Sequence, residues 1–180
     1  MHNFNTFLFM FINQGAGYWP QLDYFFVLLT SYIAYGVSIA VLLYLCIVPF
    51  RTTDMRERLQ KFAQIVELLL SLGLVYMIVK SLKVLVAHPR PFESLNQVTA
   101  LVHATSLQSF PSMHAALTMA LAIAVLPFRK HLGHLLISFS IIVSLSRLYV
   151  GVHYPFDIGV GLLIGFFIPK LIHRIFHHVQ

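Results

Sequence analysis

Long apolar runs, separated by short polar stretches, make up most of this 180-residue sequence. A helix that crosses the hydrocarbon core of a bilayer needs roughly 20 mostly apolar residues, and several runs approach or exceed that length. They cover residues 24–50, 62–86, 112–128, 132–150 and 156–173. We therefore predict an all-α fold, an integral membrane helical bundle with about five transmembrane helices. The third run is only about 25 Å long at 1.5 Å per residue, so we expect that helix to begin at membrane depth.

The N-terminal stretch, residues 1–20, is apolar but differs from the five runs. It has no basic beginning and no small-residue cleavage pattern, so it does not resemble a removable signal peptide. It is too short to span a bilayer, and Tyr18 and Trp19 fit the aromatic belt at a membrane surface. We predict a short interfacial helix here. The whole chain, 1–180, is then one membrane domain with residues 87–111 as its outer loop.

Charge is scarce and unevenly placed. Only 10% of the residues are charged, against about a quarter in soluble domains. In a five-span arrangement, one side carries Arg51, Arg56, Arg58, Lys61, Arg129, Lys130, Lys170 and Arg174. The positive-inside rule assigns that side to the cytoplasm. Because topology accounts for most of the net charge of +6, we expect no nucleic-acid partner.

Three polar clusters lie at the ends of apolar runs. The cluster from Lys83 to Pro91 ends the second run, Pro111–His114 opens the third, and Ser146–Asp157 joins the fourth to the fifth. With five spans, all three lie on the outer side, opposite the basic loops, and can share one pocket. Polar groups at a membrane edge indicate function by default.

The clusters contain groups that suit a highly charged anion. The fixed cations are Lys83, Arg90 and Arg147. Pro111 suits the first turn of a helix, which leaves the N–H groups of residues 112–114 without intrahelical partners. Such a helix start, together with the Ser112 hydroxyl, is a ready anion site. A phosphoryl group held during transfer is the natural occupant.

Two histidines and a carboxylate complete the constellation. Asp157 falls in the first turn of the last span, from which it can reach back to His153. A carboxylate on one imidazole nitrogen fixes the tautomer and makes the other nitrogen more nucleophilic. His114 is then available to protonate a leaving oxygen, and Gly151 permits a positive φ or a close approach. Asp157 is a single carboxylate, and the outer face has no cluster of acidic residues of the kind that binds Mg²⁺ or Ca²⁺, so we predict a phosphohistidine route without metal or cofactor.

Taken together, the clusters resemble the signature of the phosphatidic acid phosphatase type 2 superfamily, which includes membrane lipid phosphatases and vanadium haloperoxidases. The family's motifs are Lys, six residues and Arg-Pro; then Pro-Ser-Gly-His; then Ser-Arg, five residues, His, three residues and Asp. The matching residues are Lys83 with Arg90-Pro91, Pro111-Ser112-Met113-His114, and Ser146-Arg147 with His153 and Asp157. The order of the motifs and their place at outer span ends also resemble the family.

The resemblance implies a role for each matching residue. His153 is the implied nucleophile, Asp157 its orienting partner and His114 the general acid. The residues implied to hold the phosphoryl group are Lys83, Arg90, Ser112, Met113 and Arg147. Met113 stands where the family usually has Gly, so only its backbone N–H serves the phosphate, while its side chain narrows the pocket or contacts lipid. This departure favours a transferase relative slightly.

The implied function is hydrolysis of a lipid phosphomonoester or diphosphate at the outer face of a bacterial inner membrane. Candidate substrates are a polyprenyl diphosphate such as undecaprenyl diphosphate, phosphatidylglycerol phosphate, phosphatidic acid and a lipid A type of phosphate. A phosphotransferase that uses an acceptor alcohol is the alternative within this chemistry. A lipid binder or transporter is a further alternative, but binding alone does not require His114, His153 and Asp157. The sequence specifies no oligomeric state.

Three features lie outside this constellation. Glu67, inside the second span, is expected to snorkel or to pair with Lys61 or Arg129. The histidine-rich stretch 173–178 has no cysteine or carboxylate beside it in sequence, so we predict no metal site there. The outer loop over residues 92–110 either covers the pocket or contacts a lipid head group.

Overall fold

The computed structural model describes residues 2–104 and 106–178, and nearly all of this part of the chain is helical. The helices are α1 (His2–Asn13), α2 (Pro20–Leu28), α3 (Ala34–Ile47), α4 (Met55–Val86), α5 (Pro91–Ser94), α6 (Met113–Val125), α7 (Lys130–Tyr149) and α8 (Pro155–His178). A π-helical turn joins α2 to α3, and no β-strand forms among these residues. Predictions for Met1, Thr105, Val179 and Gln180 lie outside the described residues.

Four helical segments are long and apolar enough to cross a membrane. They are Pro20–Arg51, Met55–Val86, Lys130–Tyr149 and Pro155–His177. Each overlaps one of the predicted runs, and the remaining run, 112–128, corresponds to the shorter apolar helix α6. The predicted all-α membrane bundle is therefore confirmed.

Helix α6 lies at the centre of the bundle. Ten of its thirteen residues are buried, because α4, α7 and α8 all pack against it. Four of the buried residues are alanines in the stretch from Ala115 to Ala122, and their small side chains let the neighbouring helix backbones approach closely. A helix enclosed by protein in this way has no need to match the full thickness of the bilayer.

The outer helices present large apolar side chains away from the bundle. Examples with about half or more of their surface exposed are Tyr32, Leu43, Phe50, Leu69, Met77 and Phe167. A soluble monomer rarely exposes apolar patches of this extent. The shell of the bundle is therefore suited to lipid, as expected for an integral membrane protein.

Helix α8 meets α6 through glycines on one of its faces. A Cβ atom at Gly161 would lie only 2.6 Å from the Ser112 carbonyl oxygen, and one at Gly165 would collide with the Ala116 carbonyl. The two glycines are four residues apart, which is the small-residue spacing that permits close helix contact in membranes. This contact fixes the start of α6 against the start of α8.

We expect Gly161→Leu to lower the free energy of unfolding by about 1–3 kcal/mol or more, because the added side chain overpacks the α6–α8 contact. Thermal unfolding of the detergent-purified protein measures the effect. The matched control is Gly159→Leu on the same helix, where an added Cβ meets no atom within 4 Å. Equal stability of the two variants would contradict this account of the contact.

Helix α1 forms where the interfacial helix is predicted, and it docks on the end of α7. The Asn13 side-chain amide donates hydrogen bonds of 2.9 Å to the backbone carbonyls of Thr99 and Tyr149. Phe9 is fully buried, with its ring centroid 5.6 Å from that of Tyr154. On the opposite side of α1, the large apolar side chains are exposed, namely Phe4, Phe7 and Phe11. One face of α1 is thus part of the protein core, while the other is free to contact lipid.

Candidate active site

The three polar clusters predicted to share a pocket come together at one end of the bundle. The end of α4 carries Lys83, the following turn carries Arg90, and α6 begins with Met113 and His114. The end of α7 carries Arg147, and the turn into α8 carries His153. Arg90, Ser112, Arg147, His153 and Asp157 are all at least nine-tenths buried. Buried charged and polar groups need partners to offset their desolvation.

The outer loop supplies acceptors for two of the cations. Lys83 Nζ donates to the backbone carbonyls of Gln108, at 2.9 Å, and Ser109, at 3.3 Å. Arg90 Nε donates to the Ser106 carbonyl at 2.6 Å, and its Nη1 donates to the Val152 carbonyl at 2.8 Å. The loop therefore folds over the pocket and fixes both cations through its backbone. This arrangement favours the covering role among the two roles considered for residues 92–110.

The start of α6 differs in two details from the prediction. Ser112 is the residue that precedes the helix, so Pro111 lies before the first turn rather than within it. The Ser112 N–H donates to the Asp157 backbone carbonyl at 3.0 Å, so it is not available to an anion. The first N–H groups of the helix, beginning with Met113, still have no intrahelical acceptor. The anion donors at this helix start are therefore those N–H groups and the Ser112 hydroxyl.

Arg147 is held by a residue that the sequence analysis did not single out. Its Nη1 donates to Thr30 Oγ1, and both side chains are buried. Thr30 lies in the π-helical turn between α2 and α3, so the first span contributes to the site. The Thr30-Ser31 pair in the middle of an apolar run is the sequence signal that points to such a residue.

The His153–Asp157 pair is close but looser than predicted. Asp157 Oδ2 lies 3.6 Å from His153 Nδ1, beyond hydrogen-bond distance. The same oxygen accepts a 2.8 Å hydrogen bond from the Tyr154 N–H, so the carboxylate caps the start of α8. Asp157 faces Nδ1 of His153, which leaves Nε2 as the nitrogen for chemistry.

Gly151 allows the turn that carries His153. Its φ is +83°, and a Cβ atom would lie 2.5 Å from the Thr99 carbonyl oxygen. Both the positive φ and the close approach predicted for this glycine are therefore present. Only glycine fits such a position without strain.

Several buried polar atoms of the site have no hydrogen-bond partner. Among the described residues, Ser112 Oγ, Arg147 Nε and His153 Nδ1 are buried and unpartnered. Native structures leave few such atoms, and each one points to a ligand or water that completes it. The Ser112 hydroxyl and the Arg147 N–H are the donors that a phosphoryl oxygen would accept from.

The electrostatic surroundings keep His153 neutral. Burial lowers the pKa of His153 well below its usual value, and the positive charges of Arg147, Arg90 and Lys83 lower it further. An imidazole must be neutral to act as a nucleophile. His114 also lies near enough to contribute to this shift, so the two histidines share one pocket.

His114 lies where the pocket opens into an apolar groove. The groove has a volume of about 450 Å³ and runs between α3, α4 and α6, past Gly73 and Tyr76. The ring of Tyr35 packs edge-on against His114, with centroids 5.2 Å apart. Met113 also lines the groove, so the side chain that replaces the expected glycine faces an apolar space. The site thus joins a cationic pocket to a groove suited to a hydrocarbon chain.

One group in the described part of the chain has the spacing of a metal site, and it lies elsewhere. Glu67, His173 and His177 meet near the other end of the bundle. The expected partners of Glu67 were wrong, because Glu67 contacts the two histidines of α8, while Lys61 pairs with Glu57. The helical register that joins α4 to α8 decides these partners, and the sequence alone does not give it.

Comparison with known proteins identifies related chains. The sequence model of the PAP2 superfamily matches residues 64–180. The bacitracin transport permease protein BcrC of Bacillus licheniformis is 26% identical over 157 residues, which cover 87% of this chain and 73% of that protein. The undecaprenyl-diphosphatase BcrC of Bacillus subtilis is 36% identical over 86 residues. That match covers 48% of this chain and 44% of the relative, so it spans less than half of either protein.

A solved structure agrees over nearly the whole chain. The crystal structure of Aquifex aeolicus LpxE superposes with a TM-score of 0.75 and 30% sequence identity. The superposition covers 93% of this chain and 93% of that protein. The helical fold of this chain is thus similar to one that has been determined experimentally.

Proposed function

The chain belongs to the PAP2 superfamily, and from this membership we propose that it is an integral membrane lipid phosphatase acting through a phosphohistidine intermediate. The proposal treats the described helices as one phosphatase domain. The observation that carries it is the set of buried, unpartnered donors beside three cations, since Ser112 Oγ and Arg147 Nε can each donate to a phosphoryl oxygen.

The reaction begins with His153. Its Nε2 attacks phosphorus, a P–N bond forms, and the bond from phosphorus to the leaving oxygen breaks. His114 gives a proton to that oxygen as it departs. Asp157 stabilises the positive charge that develops on the His153 ring, and the 3.6 Å separation needs only a small movement to become a hydrogen bond. Water then attacks phosphorus with His114 as base. A P–O bond forms and the P–N bond to His153 breaks, which releases inorganic phosphate and restores His153.

The fixed cations perform the electrostatic work of this mechanism. Lys83, Arg90 and Arg147 are held in place by backbone carbonyls and by Thr30 before the substrate arrives. Pre-positioned donors stabilise a transferring phosphoryl group without reorganisation. We therefore propose that the chemistry is metal-independent.

The substrate is a lipid phosphate whose tail occupies the groove beside His114. Pockets of about 300–1,000 Å³ commonly bind small ligands, and this one is lined by Met113 and His114 of the proposed site. Among the candidates, we place undecaprenyl diphosphate first, because a relative from Bacillus subtilis carries that activity in its name. Phosphatidylglycerol phosphate, phosphatidic acid and lipid A type phosphates remain candidates for the same groove.

We assign the active site to the outer face of a bacterial inner membrane. The basic residues lie in loops at the end of the bundle opposite His153, for example Arg51 and Arg129. The positive-inside rule assigns that end to the cytoplasm. Attachment of a cysteine-reactive, membrane-impermeant reagent to single-cysteine variants of the outer loop in intact cells tests this orientation.

Inorganic phosphate release from a panel of the candidate lipids, with EDTA present, tests the function. We expect release by the detergent-purified full chain, and the relative rates identify the substrate class. Release that requires added divalent metal would overturn the metal-independent mechanism. Transfer of phosphate to an added alcohol, without release to water, would instead establish the phosphotransferase.

A large side chain in the groove should lower kcat/KM for lipid substrates much more than for soluble substrates. Gly73→Phe places a ring in the groove beside His114, where an added Cβ meets no protein atom within 4 Å. We expect kcat/KM to fall about tenfold or more for a long-chain lipid phosphate and to change less than twofold for p-nitrophenyl phosphate. Loss of 1.4 kcal/mol of tail binding corresponds to the tenfold effect.

The matched control is Gly36→Phe. Gly36 lies on α3, and an added Cβ there also meets no atom within 4 Å, but the residue does not line the groove. Both variants place one phenylalanine in an exposed helix position, so they share any general cost to folding. A parallel loss of lipid hydrolysis in both variants would contradict the groove assignment.

A further inference from the structure

A second polar site lies near the cytoplasmic end of the bundle, away from the phosphatase chemistry. We propose that Glu67 of α4 and His173 and His177 of α8 bind a divalent transition-metal ion, with Zn²⁺ the best match. Glu67 precedes Lys83 by sixteen residues, about 24 Å along α4, so this ion takes no part in phosphate transfer. The proposal rests on these side chains alone and not on the proposed function.

The three side chains already converge. Glu67 Oε1 lies 2.7 Å from His173 Nδ1, and Glu67 Oε2 lies 3.5 Å from His177 Nε2. The potential ligand atoms all lie within 4.8 Å of one another. A tetrahedral Zn²⁺ with bonds of roughly 2.0–2.1 Å sets its ligand atoms about 3.3 Å apart. Changes of up to about 1.5 Å in these separations, which side-chain rotations can supply, therefore convert the observed cluster into a coordination site.

The donor set suits zinc in both number and type. Two imidazoles and one carboxylate are the protein ligands of known zinc sites, with water in the fourth position. The histidines are four residues apart on α8, so their side chains share one face of the helix, and their ring centroids are 4.3 Å apart. Imidazole nitrogen also selects zinc over the oxygen-seeking ions Mg²⁺ and Ca²⁺.

Burial differs between the ligands in a way that permits entry of an ion. The Glu67 side chain is 4% exposed, while those of His173 and His177 are 35% and 48% exposed. An open cavity of about 460 Å³, lined in part by Pro127, Pro169 and both histidines, leads to the cluster. Glu67 is thus the buried ligand, and the ion and its water would approach from the side on which the two histidines are exposed.

Arg174 lines the same cavity as the two histidines, while two other cations of α4 and α8 have contacts of their own. Lys61 pairs with Glu57 at 2.6 Å, and Lys170 Nζ lies 3.8 Å from the centroid of the Phe166 ring. The observed side-chain contacts of Glu67 are those with His173 and His177, and these are the contacts that an ion would replace. When Zn²⁺ binds to Nδ1 of His173, the ring carries its hydrogen on Nε2, so the contact between His173 and Glu67 is replaced by a bond from each to the ion.

Bound metal would connect α4 to α8 near the end that carries the basic loops. These two helices also carry Lys83 and Asp157 at the opposite end, so the ion acts as a clamp on the scaffold rather than as a reagent. Because a ligand that binds only the folded state stabilises it, zinc should raise the unfolding temperature.

The test is metal binding by the full chain in detergent, purified without a polyhistidine tag and stripped with EDTA. Titration with Co²⁺ alone should give the visible absorption of a tetrahedral site, and Zn²⁺ should displace it at one ion per chain. Glu67→Gln removes the buried ligand and can disturb folding, so His177→Asn, at an exposed position, is the decisive variant. We expect His177→Asn to weaken Zn²⁺ binding by at least about 100-fold, the upper range for loss of a supporting group.

His134→Asn is the matched control, since His134 is an exposed histidine whose Nδ1 contacts only the Lys130 carbonyl of its own helix. It should leave Zn²⁺ affinity unchanged within a factor of two. Absence of saturable Co²⁺ binding, or equal affinity in His177→Asn and the unaltered chain, overturns the proposal and leaves the cluster as an ion pair. Phosphate release by His177→Asn is measured in parallel, so failure of the metal site is distinguishable from failure of the phosphatase.

Discussion

His153→Ala is expected to reduce the rate of phosphate release from a lipid phosphate by about 10⁴-fold or more. Removal of an enzymatic nucleophile costs on the order of 10⁴–10⁶ in kcat, since the remaining donors hold the substrate but form no covalent intermediate. Lys83, Arg90 and Arg147 remain in this variant, so KM should change far less than kcat. The split between the two constants separates a nucleophile from a binding residue.

Two measurements make this prediction specific. Brief incubation with lipid carrying ³²P should label the unaltered chain with an acid-labile, base-stable phosphate, as a P–N bond requires, and the variant should carry none. His103→Ala is the control, because His103 is an exposed histidine of the outer loop. The mechanism is wrong if His153→Ala keeps more than a tenth of the activity while its unfolding temperature matches that of the unaltered chain.

Topology alone led the sequence analysis to place the proposed site residues at one end of the bundle. Lys83, Arg147 and His153 lie at the ends of different spans, and in an alternating bundle all three ends are on one side. That deduction needs no knowledge of helix packing. The structure places these side chains within one electrostatic environment, since both cations shift the pKa of His153. Their catalytic roles remain predictions.

The residues that pack against the site residues could not be predicted from the sequence. Arg147 contacts Thr30, which is 117 residues away, and Asn13 contacts Tyr149 at a separation of 136. Such contacts depend on how far each helix is displaced along its neighbour, which is set by many small packing terms. The Ser112 N–H illustrates the same limit, because only the approach of α8 to α6 gives it the Asp157 carbonyl as acceptor.

The short length of α6 could be predicted from the sequence, but the reason why a short helix suffices there could not. The sequence indicated a short third span, and α6 has thirteen residues. Its burial explains why this suffices: α7 and α8 cover it, so its ends need not reach the membrane surfaces. A hydropathy pattern reports apolar character and does not distinguish contact with lipid from contact with protein. For the same reason, the sequence did not predict the partners of Glu67, which come from α8.

His114→Gln should reduce hydrolysis of an alkyl phosphate monoester by about 10²–10⁴-fold, the range for a general acid. An alkoxide is a poor leaving group, so its departure depends on the proton that His114 provides. The p-nitrophenolate ion leaves without a proton, so kcat/KM for p-nitrophenyl phosphate, which reports only the steps up to formation of the phosphohistidine, should fall much less, by about tenfold or less. Glutamine keeps the size and hydrogen-bonding ability of the side chain but does not transfer a proton.

The test compares kcat/KM for short-chain dioctanoyl phosphatidic acid with kcat/KM for p-nitrophenyl phosphate in one preparation of the variant. The difference between the two losses measures the contribution of proton transfer to the leaving oxygen. Tyr35→Phe is the control, because it keeps the ring that packs against His114 and changes only the hydroxyl. A general acid predicts a loss that depends on the leaving group, whereas a residue that only shapes the pocket predicts equal losses. Equal losses on both substrates would therefore remove His114 from the proton-transfer step and leave it a part of the groove.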